Sequence, residues 1–285
     1  MKLIKAERQQ VKLRLGLSGA SGFGKTMSAL LLAHGITEDW SKIAVIDTEN
    51  NSASLYSHLG NFNVLGLNDS FAPERYIEAI ELCESLEMEV IIIDSITHEW
   101  QGTGGCLQIH EQLGGRFQDW GKVSPRHQNF INKILNSKAH IITTVRRKID
   151  YSLEMNQQGK TKVIKHGTKE ITREGFEYEL TVNFELVNDK HVVSASKDRT
   201  GLFMDKPEFV INAATGRRLR DWCNTGKSLE QIKLEIIAAA SEEELKVIYD
   251  NYQIYHKVLV PLLTSRKQEL IATAQNIIHS NQIVK

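Results

Sequence analysis

An α/β fold with a mostly parallel central sheet is predicted by three features of the sequence. Apolar runs of strand length alternate with segments of helical period, the pattern of βαβ units. A glycine-rich turn, Gly19-Ala20-Ser21-Gly22-Phe23-Gly24-Lys25-Thr26, joins the first such run to the first helical segment. From Glu177 the apolar period changes to two, which predicts an antiparallel hairpin extension. The 285 residues, 41% hydrophobic, suffice for one substantial domain and a small appendage.

Residues 12–17 form the first apolar run, and 25–34 carry the first helical period. Ile43–Asp47 is a second strand and 63–67 a short third. Residues 73–87 predict a helix, with Pro73 suited to a first turn whose N–H groups lack intrahelical partners. Val90–Asp94 is apolar on both faces until its aspartate, as a central strand covered on both sides would be. Gly102, Gly104, Gly105, Gly114 and Gly115 then crowd a stretch expected to be a mobile loop, before a helix over 125–136 and a strand over 140–145. Tyr178, Leu180, Val182, Phe184 and Leu186 alternate with polar residues, Asn188 and Asp189 signal a turn, and 191–196 return as the second hairpin strand. Beyond Gly226 strand signals vanish. Ser228 is suited to cap a helix over 229–240, and Ser241 with Glu244 predicts a capping box for the next. The expected division is a core over 1–225 and a helical appendage over 226–285.

Lys and Arg (35) balance Asp and Glu (35), so affinity for nucleic acid must come from a local basic patch and not from net charge. The opening residues show no apolar run of signal-peptide kind, and no stretch approaches the roughly 18 apolar residues of a membrane span. A cytoplasmic protein without membrane association is the expectation. Cys83, Cys106 and Cys223 form no CxxC pair and the ten histidines no HExxH spacing, so spacing predicts neither a disulfide framework nor a zinc site.

The turn at 19–26 fits GxxxxGK[ST] between a strand and a helix, the context in which that motif cradles phosphates. Glycines let backbone N–H groups curl around phosphate oxygens, and the helix N-terminus adds its positive dipole end. Lys25 can reach the β- and γ-phosphates, and the Thr26 hydroxyl can ligate magnesium. Asp94, ending an apolar strand, is the second magnesium anchor. Hydrolysis also needs a group that activates water, and Glu49 in Asp47-Thr48-Glu49 follows a strand whose carboxyl end faces the γ-phosphate in a doubly wound sheet. The alternative for Glu49 is a solvated loop glutamate.

The order of these motifs resembles the RecA-like P-loop ATPases: phosphate loop, strand ending in Asp-x-Glu, helix, strand ending in Asp-Ser (Asp94-Ser95). The resemblance implies that ATP is the nucleotide and that Glu49 is the catalytic base. It also makes residues 141–146 the sensor strand, with Thr144 where glutamine is typical. More specifically, Thr144 to Lys148, Arg173 to Glu179 and Ser196-Lys197-Asp198-Arg199-Thr200-Gly201 are similar to phage-encoded recombination ATPases associated with single-strand annealing. The Lys-Asp-Arg-x-Gly element also resembles a segment of RadA-type and DnaB-type ring ATPases whose basic residues reach the neighbouring subunit's nucleotide. That resemblance implies self-assembly into a ring or filament, with Lys197 and Arg199 acting in trans. Their alternative is a solvated hairpin end.

RecA-like proteins bind DNA through loops that correspond here to 99–125 and 146–175. The second is rich in cations, among them Arg146, Arg147, Lys148, Lys160, Lys162, Lys165 and Lys169, and Tyr151 could stack on a base. Such a loop would bind single-stranded DNA with strong salt dependence, although a charge run can equally be a solvated loop. Trp100 and Trp120 flank the glycine-rich stretch and are read as packing. The apolar repeat of the C-terminal helices is more often a core than a partner surface, although these helices resemble units appended to phage recombination and replication proteins, which implies docking to a single-strand-binding protein or to the core; an annealase is a further candidate partner of the chain. The leading expectation is a DNA-dependent ATPase of phage recombination acting in the host cytoplasm. Its rivals are a ring helicase or translocase, and an ATP-gated assembly protein indifferent to DNA.

Overall fold

The computed structural model describes residues 8, 10–155 and 161–283. β1 (Arg14–Gly19) leads through the glycine-rich turn into α1 (Lys25–Thr37). β2 (Ile43–Asp47), β3 (Asn63–Gly66), α2 (Pro73–Ser85) and β4 (Val90–Asp94) follow. Between β4 and the next strand lie α3 (Thr97–Gln101), α4 (Cys106–Gln112) and α5 (Trp120–Asn136). Then come β5 (His140–Met155), β6 (Thr161–Glu170), α6 (Phe176–Glu179), β7 (Val182–Leu186), β8 (Val192–Asp198), β9 (Phe209–Val210) and α7 (Ala213–Cys223). The sheet order is β3-β2-β4-β5-β1-β7-β8-β9, with β6 paired to β5. Pairings from β3 through β7 on this path are parallel, and β7-β8-β9 are antiparallel, as the sequence predicts.

Alternation along the strands divides the core between the two faces of the sheet. Ala44, Ile46, Ile91, Ile93 and Ile141 pack with Tyr76, Ile80, Phe130 and Ile134 from α2 and α5. Val45, Ile92 and Ile142, equally buried, occupy the alternate positions and so the opposite face. The strands therefore end with their carboxyl edges aligned: Asp47 is in register with Asp94, and Gly19 with Arg146.

Three local expectations are corrected. The glycine-rich stretch after β4 is largely helical. Its glycines punctuate helices: Gly102 ends α3, Gly105 precedes α4, and Gly114 and Gly115 leave α4 with positive φ. α5 also starts at Trp120, ahead of Pro125. The basic segment after residue 145 is no open loop, because β5 runs on to Met155 and pairs antiparallel with β6. Finally, Tyr178 lies in the short α6 and is exposed, so the hairpin begins at Val182, where β7 is sealed against β1.

β1 carries an arginine that its apolar neighbours conceal. Arg14 is buried, and its guanidinium donates to the carbonyls of Leu13 (2.9 Å), Ala139 (2.8 Å), Leu135 (3.1 Å) and Ser137, closing the C-terminal end of α5. Beside it, Leu13 N–H donates to His140 Nδ1 at 3.0 Å, so that nitrogen must stay unprotonated. Burial, aided by the charges of Lys12 and Arg14, pushes His140 down from 6.5 to about 3. Between these values the unfolded chain takes up a proton that the folded chain refuses, so stability falls as pH drops from about 6.5 towards 3. The expected loss is on the order of 1 kcal/mol per pH unit. His140→Asn, whose Oδ1 can accept from Leu13 N–H, should flatten that slope relative to wild type in urea unfolding between pH 7 and 4.5. An unchanged slope would remove His140 as its source.

Contacts group the chain into Lys12–Trp222 and a smaller unit, Cys223–Lys285 with the described residues before Lys12. In the smaller unit α8 (Leu229–Ala238), α9 (Glu242–Asn251) and α10 (His256–Ile283) enclose Ile232, Ile236, Leu245, Ile248, Tyr252 and Leu259. Ser228 and Gln231 form a reciprocal capping box on α8. On α9 Ser241 caps Glu244 N–H, but the Glu244 carboxylate reaches Ala240 N–H instead of closing the box. Among the described residues no helix is long and apolar enough to cross a membrane.

Candidate functional site

The turn from Gly19 to Thr26 forms one wall of a cleft of about 460 Å³ at the carboxyl edge of the sheet. Ser21, Gly22, Gly24, Lys25 and Thr26 line it with Glu49, Asp94 and Arg146, while Met27, Leu31, Val210 and Ile211 supply an apolar side. Gly24 has φ 91°, and a Cβ there would lie 2.7 Å from His191 Nδ1, so the position excludes any side chain. His191, at the turn between β7 and β8, also bonds Phe23 O through Nδ1 at 2.8 Å. Lys25 Nζ donates to Gly19 O (3.1 Å) and Ala20 O (2.9 Å), curling the turn around its own lysine. Burial holds this ammonium below its ordinary value, Asp94 and Glu49 partly offset that, and Arg146 adds to the lowering.

Asp94 is buried and forms no ion pair among the described residues. It accepts hydrogen bonds from Thr26 Oγ1 at 2.6 Å and Thr144 Oγ1 at 2.5 Å. Burial pushes its carboxyl above the usual range against those two bonds, and the charges of Glu49 and Asp47 raise it further. A hydroxyl and a carboxylate side by side, with the carboxylate short of positive charge, are hard oxygen donors of the kind magnesium takes, so the residues present fit that ion. Thr144, expected as a sensor, is fully buried behind Asp94 and outside the cleft lining.

Glu49 owes its position to Asp47. The buried Asp47 carboxylate accepts from Glu49 N–H and Ala53 N–H, each at 2.7 Å, and so shapes the turn after β2. Thr48 ties the same turn to β4, donating to Asp94 O (3.1 Å) and accepting from Ser95 N–H (2.9 Å). The Glu49 side chain then meets Arg146, with Nη2 at 2.7 Å and Nε at 3.0 Å from Oε1.

Arg146 was expected among the DNA contacts, and its place is inside the cleft. The next residue, Arg147, points to the other face of β5 and is tied to Glu185 (3.1 Å) and to Thr168. Lys148 is exposed and lines a second hollow with Trp100, Lys169 and Arg173. Lys160 lies outside the described residues, as do the side chains of Tyr151, Lys162 and Lys165. Lys197 and Arg199 lie outside the cleft lining. Lys197 Nζ donates to Glu177 O and Tyr178 O, and Arg199 also to Tyr178 O. Between them Asp198 accepts from the N–H groups of Thr200 (2.7 Å), Phe203 (2.7 Å) and Met204 (3.0 Å), which fixes the turn that leaves Arg199 exposed. Trp100 and Trp120 stack on each other with centroids 5.6 Å apart.

Spacing along the chain did not reveal two groupings. His191, Tyr56 and His58 line the cleft from segments with no motif of their own. Glu99, Cys106 and His127, from α3, α4 and α5, form a buried hydrogen-bonded trio in which the carboxylate takes Cys106 Sγ–H and His127 Nδ1, both at 3.0 Å.

Chemically, the cleft offers a phosphate cradle, a hydroxyl–carboxylate pair for a hard cation, a carboxylate opposite them and an apolar wall suited to a base. A family model for an AAA domain, AAA_24, matches residues 11–210. No curated protein matches the chain.

Proposed function

The chain belongs to the AAA_24 family and is a P-loop ATP hydrolase, and from that premise we propose that it is a DNA-dependent ATPase of phage homologous recombination. It would bind single-stranded DNA as an oligomer with ATP sites at subunit interfaces. The observation that carries the assignment of roles is the convergence of Lys25, Thr26, Glu49 and Asp94 on one cleft. Lys25 and the N–H groups of the turn hold the triphosphate, and Glu49 orients water toward it. Magnesium, held by Thr26 and Asp94, would neutralise phosphate charge.

Two further features support assembly and DNA. Lys197, near the end of β8, and Arg199, on the turn built by Asp198, both lie outside the lining of their own cleft, so their charge is available to a neighbour's nucleotide. A cation arriving from a second subunit stabilises charge developing on the γ-phosphate and makes turnover depend on assembly. The β5–β6 ribbon, cation-rich in sequence, starts at the cleft and suits a backbone-tracking contact with single-stranded DNA.

The test is ATP hydrolysis with and without single-stranded DNA across a protein concentration series. Expected are stimulation by DNA that weakens with salt, a rate per subunit that rises with concentration, and loss of about 10²-fold or more in Arg199→Ala. A slow rate indifferent to DNA and to Arg199 would sink this reading in favour of an ATP-gated assembly protein. Strand separation on a forked duplex would favour a helicase.

A further inference from the structure

Glu99, Cys106 and His127 line no part of the nucleotide cleft, yet three helices bring their donor atoms to one buried point. We propose that this trio is a metal site separate from the magnesium anchor, taking a zinc-class divalent cation in preference to magnesium and clamping α3, α4 and α5 to one another. Spacing along the chain does not show it, because each donor comes from a different helix.

Burial and charge give the site its preference for a cation. Glu99 is 1% exposed, and among the described residues its carboxylate forms no ion pair with a lysine or arginine. It takes hydrogen bonds from Cys106 Sγ at 3.0 Å and from His127 Nδ1 at 3.0 and 3.1 Å. Arg126, one residue from His127, is engaged elsewhere, with Nε and Nη2 each 2.7 Å from the two oxygens of Glu74. A carboxylate buried in this way gains more from a cation than from two weak donors.

Geometry and donor type narrow the ion. The three donor atoms lie within 4.8 Å of one another. A tetrahedral zinc ion with ordinary bonds spaces thiolate, imidazole and carboxylate about 3.4–3.6 Å apart, so the two contacts to Glu99 Oε1 need open by only about 0.5 Å. Sulfur and imidazole nitrogen suit zinc, cobalt or nickel, whereas magnesium takes oxygen. Uptake forms bonds from the ion to Sγ, Nδ1 and a Glu99 oxygen. The Cys106 thiol proton leaves to solvent, the His127 proton moves from Nδ1 to Nε2, and nothing is oxidised or reduced. Water or the second Glu99 oxygen completes the fourth position.

The surroundings hold the trio and give access to it. Trp100 packs edge-on against the His127 ring with centroids 5.7 Å apart. His127 also lines a hollow of about 590 Å³, where Glu174 and Glu179 offset the charge of Arg173. α3 begins at Thr97, whose Oγ1 accepts from Arg146 N–H at 2.9 Å. An ion joining the three helices therefore stiffens the whole segment between β4 and β5.

The experiment titrates Co²⁺, a spectroscopic stand-in for Zn²⁺, into the full chain after treatment with chelator, with neither nucleotide nor DNA present. A single equivalent should raise a thiolate-to-cobalt charge-transfer absorption, and Zn²⁺ should abolish it by competition where excess Mg²⁺ does not. Co²⁺ bound by Thr26 and Asp94 has no thiolate and stays silent in that band. Cys106→Ser, which keeps a hydroxyl to donate to Glu99, should lose the band, while Cys83→Ser and Cys223→Ser keep it. Glu99→Gln and His127→Gln should each weaken Co²⁺ by about 10-fold or more, since even an outer partner of a metal ligand is worth about 10- to 100-fold. Zn²⁺ should raise the melting temperature of wild type by more than that of Cys106→Ser. A band that survives in Cys106→Ser, no band at all, or displacement by Mg²⁺ as readily as by Zn²⁺ would overturn the proposal. Should Cys106→Ser fail to fold, Glu99→Gln carries the test, and an unchanged Co²⁺ affinity there would sink it. Without ATP or DNA in the assay, the outcome is independent of the recombination reading.

Discussion

Lys25→Ala is expected to lower ATP turnover by about 10²- to 10³-fold, the cost of removing one preorganised positive donor from a transferring phosphoryl group. The magnitude follows from where the ammonium sits. Burial already destabilises its charge, the charges of Asp94 and Glu49 offset that in part, and among the described residues its hydrogen bonds go to the carbonyls of Gly19 and Ala20. An arriving triphosphate gives this under-compensated cation its strongest partner. Phosphate release by Lys25→Ala should approach background while the thermal melt stays close to wild type, since the lysine supports only its own turn. Turnover within a few-fold of wild type would mean that phosphate lies elsewhere.

The largest expected effect on stability is at Arg14. Arg14→Met keeps the length of the side chain and removes every donor, leaving the carbonyls of Leu135, Ser137 and Ala139 to lose their partner at a buried helix end. Unsatisfied buried acceptors cost about 1–3 kcal/mol each when nothing replaces the donor. With some relaxation or water entry, a loss of about 3 kcal/mol is expected in urea unfolding. A loss below about 1 kcal/mol would show that the end of α5 finds other partners.

The features that could be read from the chain were local ones. The phosphate turn is a contiguous pattern flanked by a strand and a helix, and Asp47 to Glu49 and Asp94 each end an apolar run, so period and chemistry coincide at those points. The parallel sheet followed because β2 and β4 are apolar on both faces. What stayed hidden depends on partners far along the chain. Arg146 reads as one cation among several, and its partner Glu49 is 97 residues away. Arg14 stands in an apolar run, where its strand is legible but the helix end that it closes is not. The glycines after β4 carry the composition of a loop, although their positions at helix ends serve α3 and α4. The β5–β6 ribbon was missed because its charged residues break the period of two by which a strand is recognised.

β5 has a mechanical consequence. Its 16 residues form one uninterrupted strand, about 50 Å long at ~3.3 Å per residue, with the β1 and β4 ladders along its first part and β6 along the rest. The register shift at Asp150/Tyr151 lets the outer part bend without cutting the chain of backbone bonds. Inter-strand hydrogen bonds lie across the strand direction, so tension drawn along β5 loads many of them together instead of peeling them one by one. Force applied at the ribbon is therefore carried inward along the strand to residues 144–146 and so to the edge of the cleft.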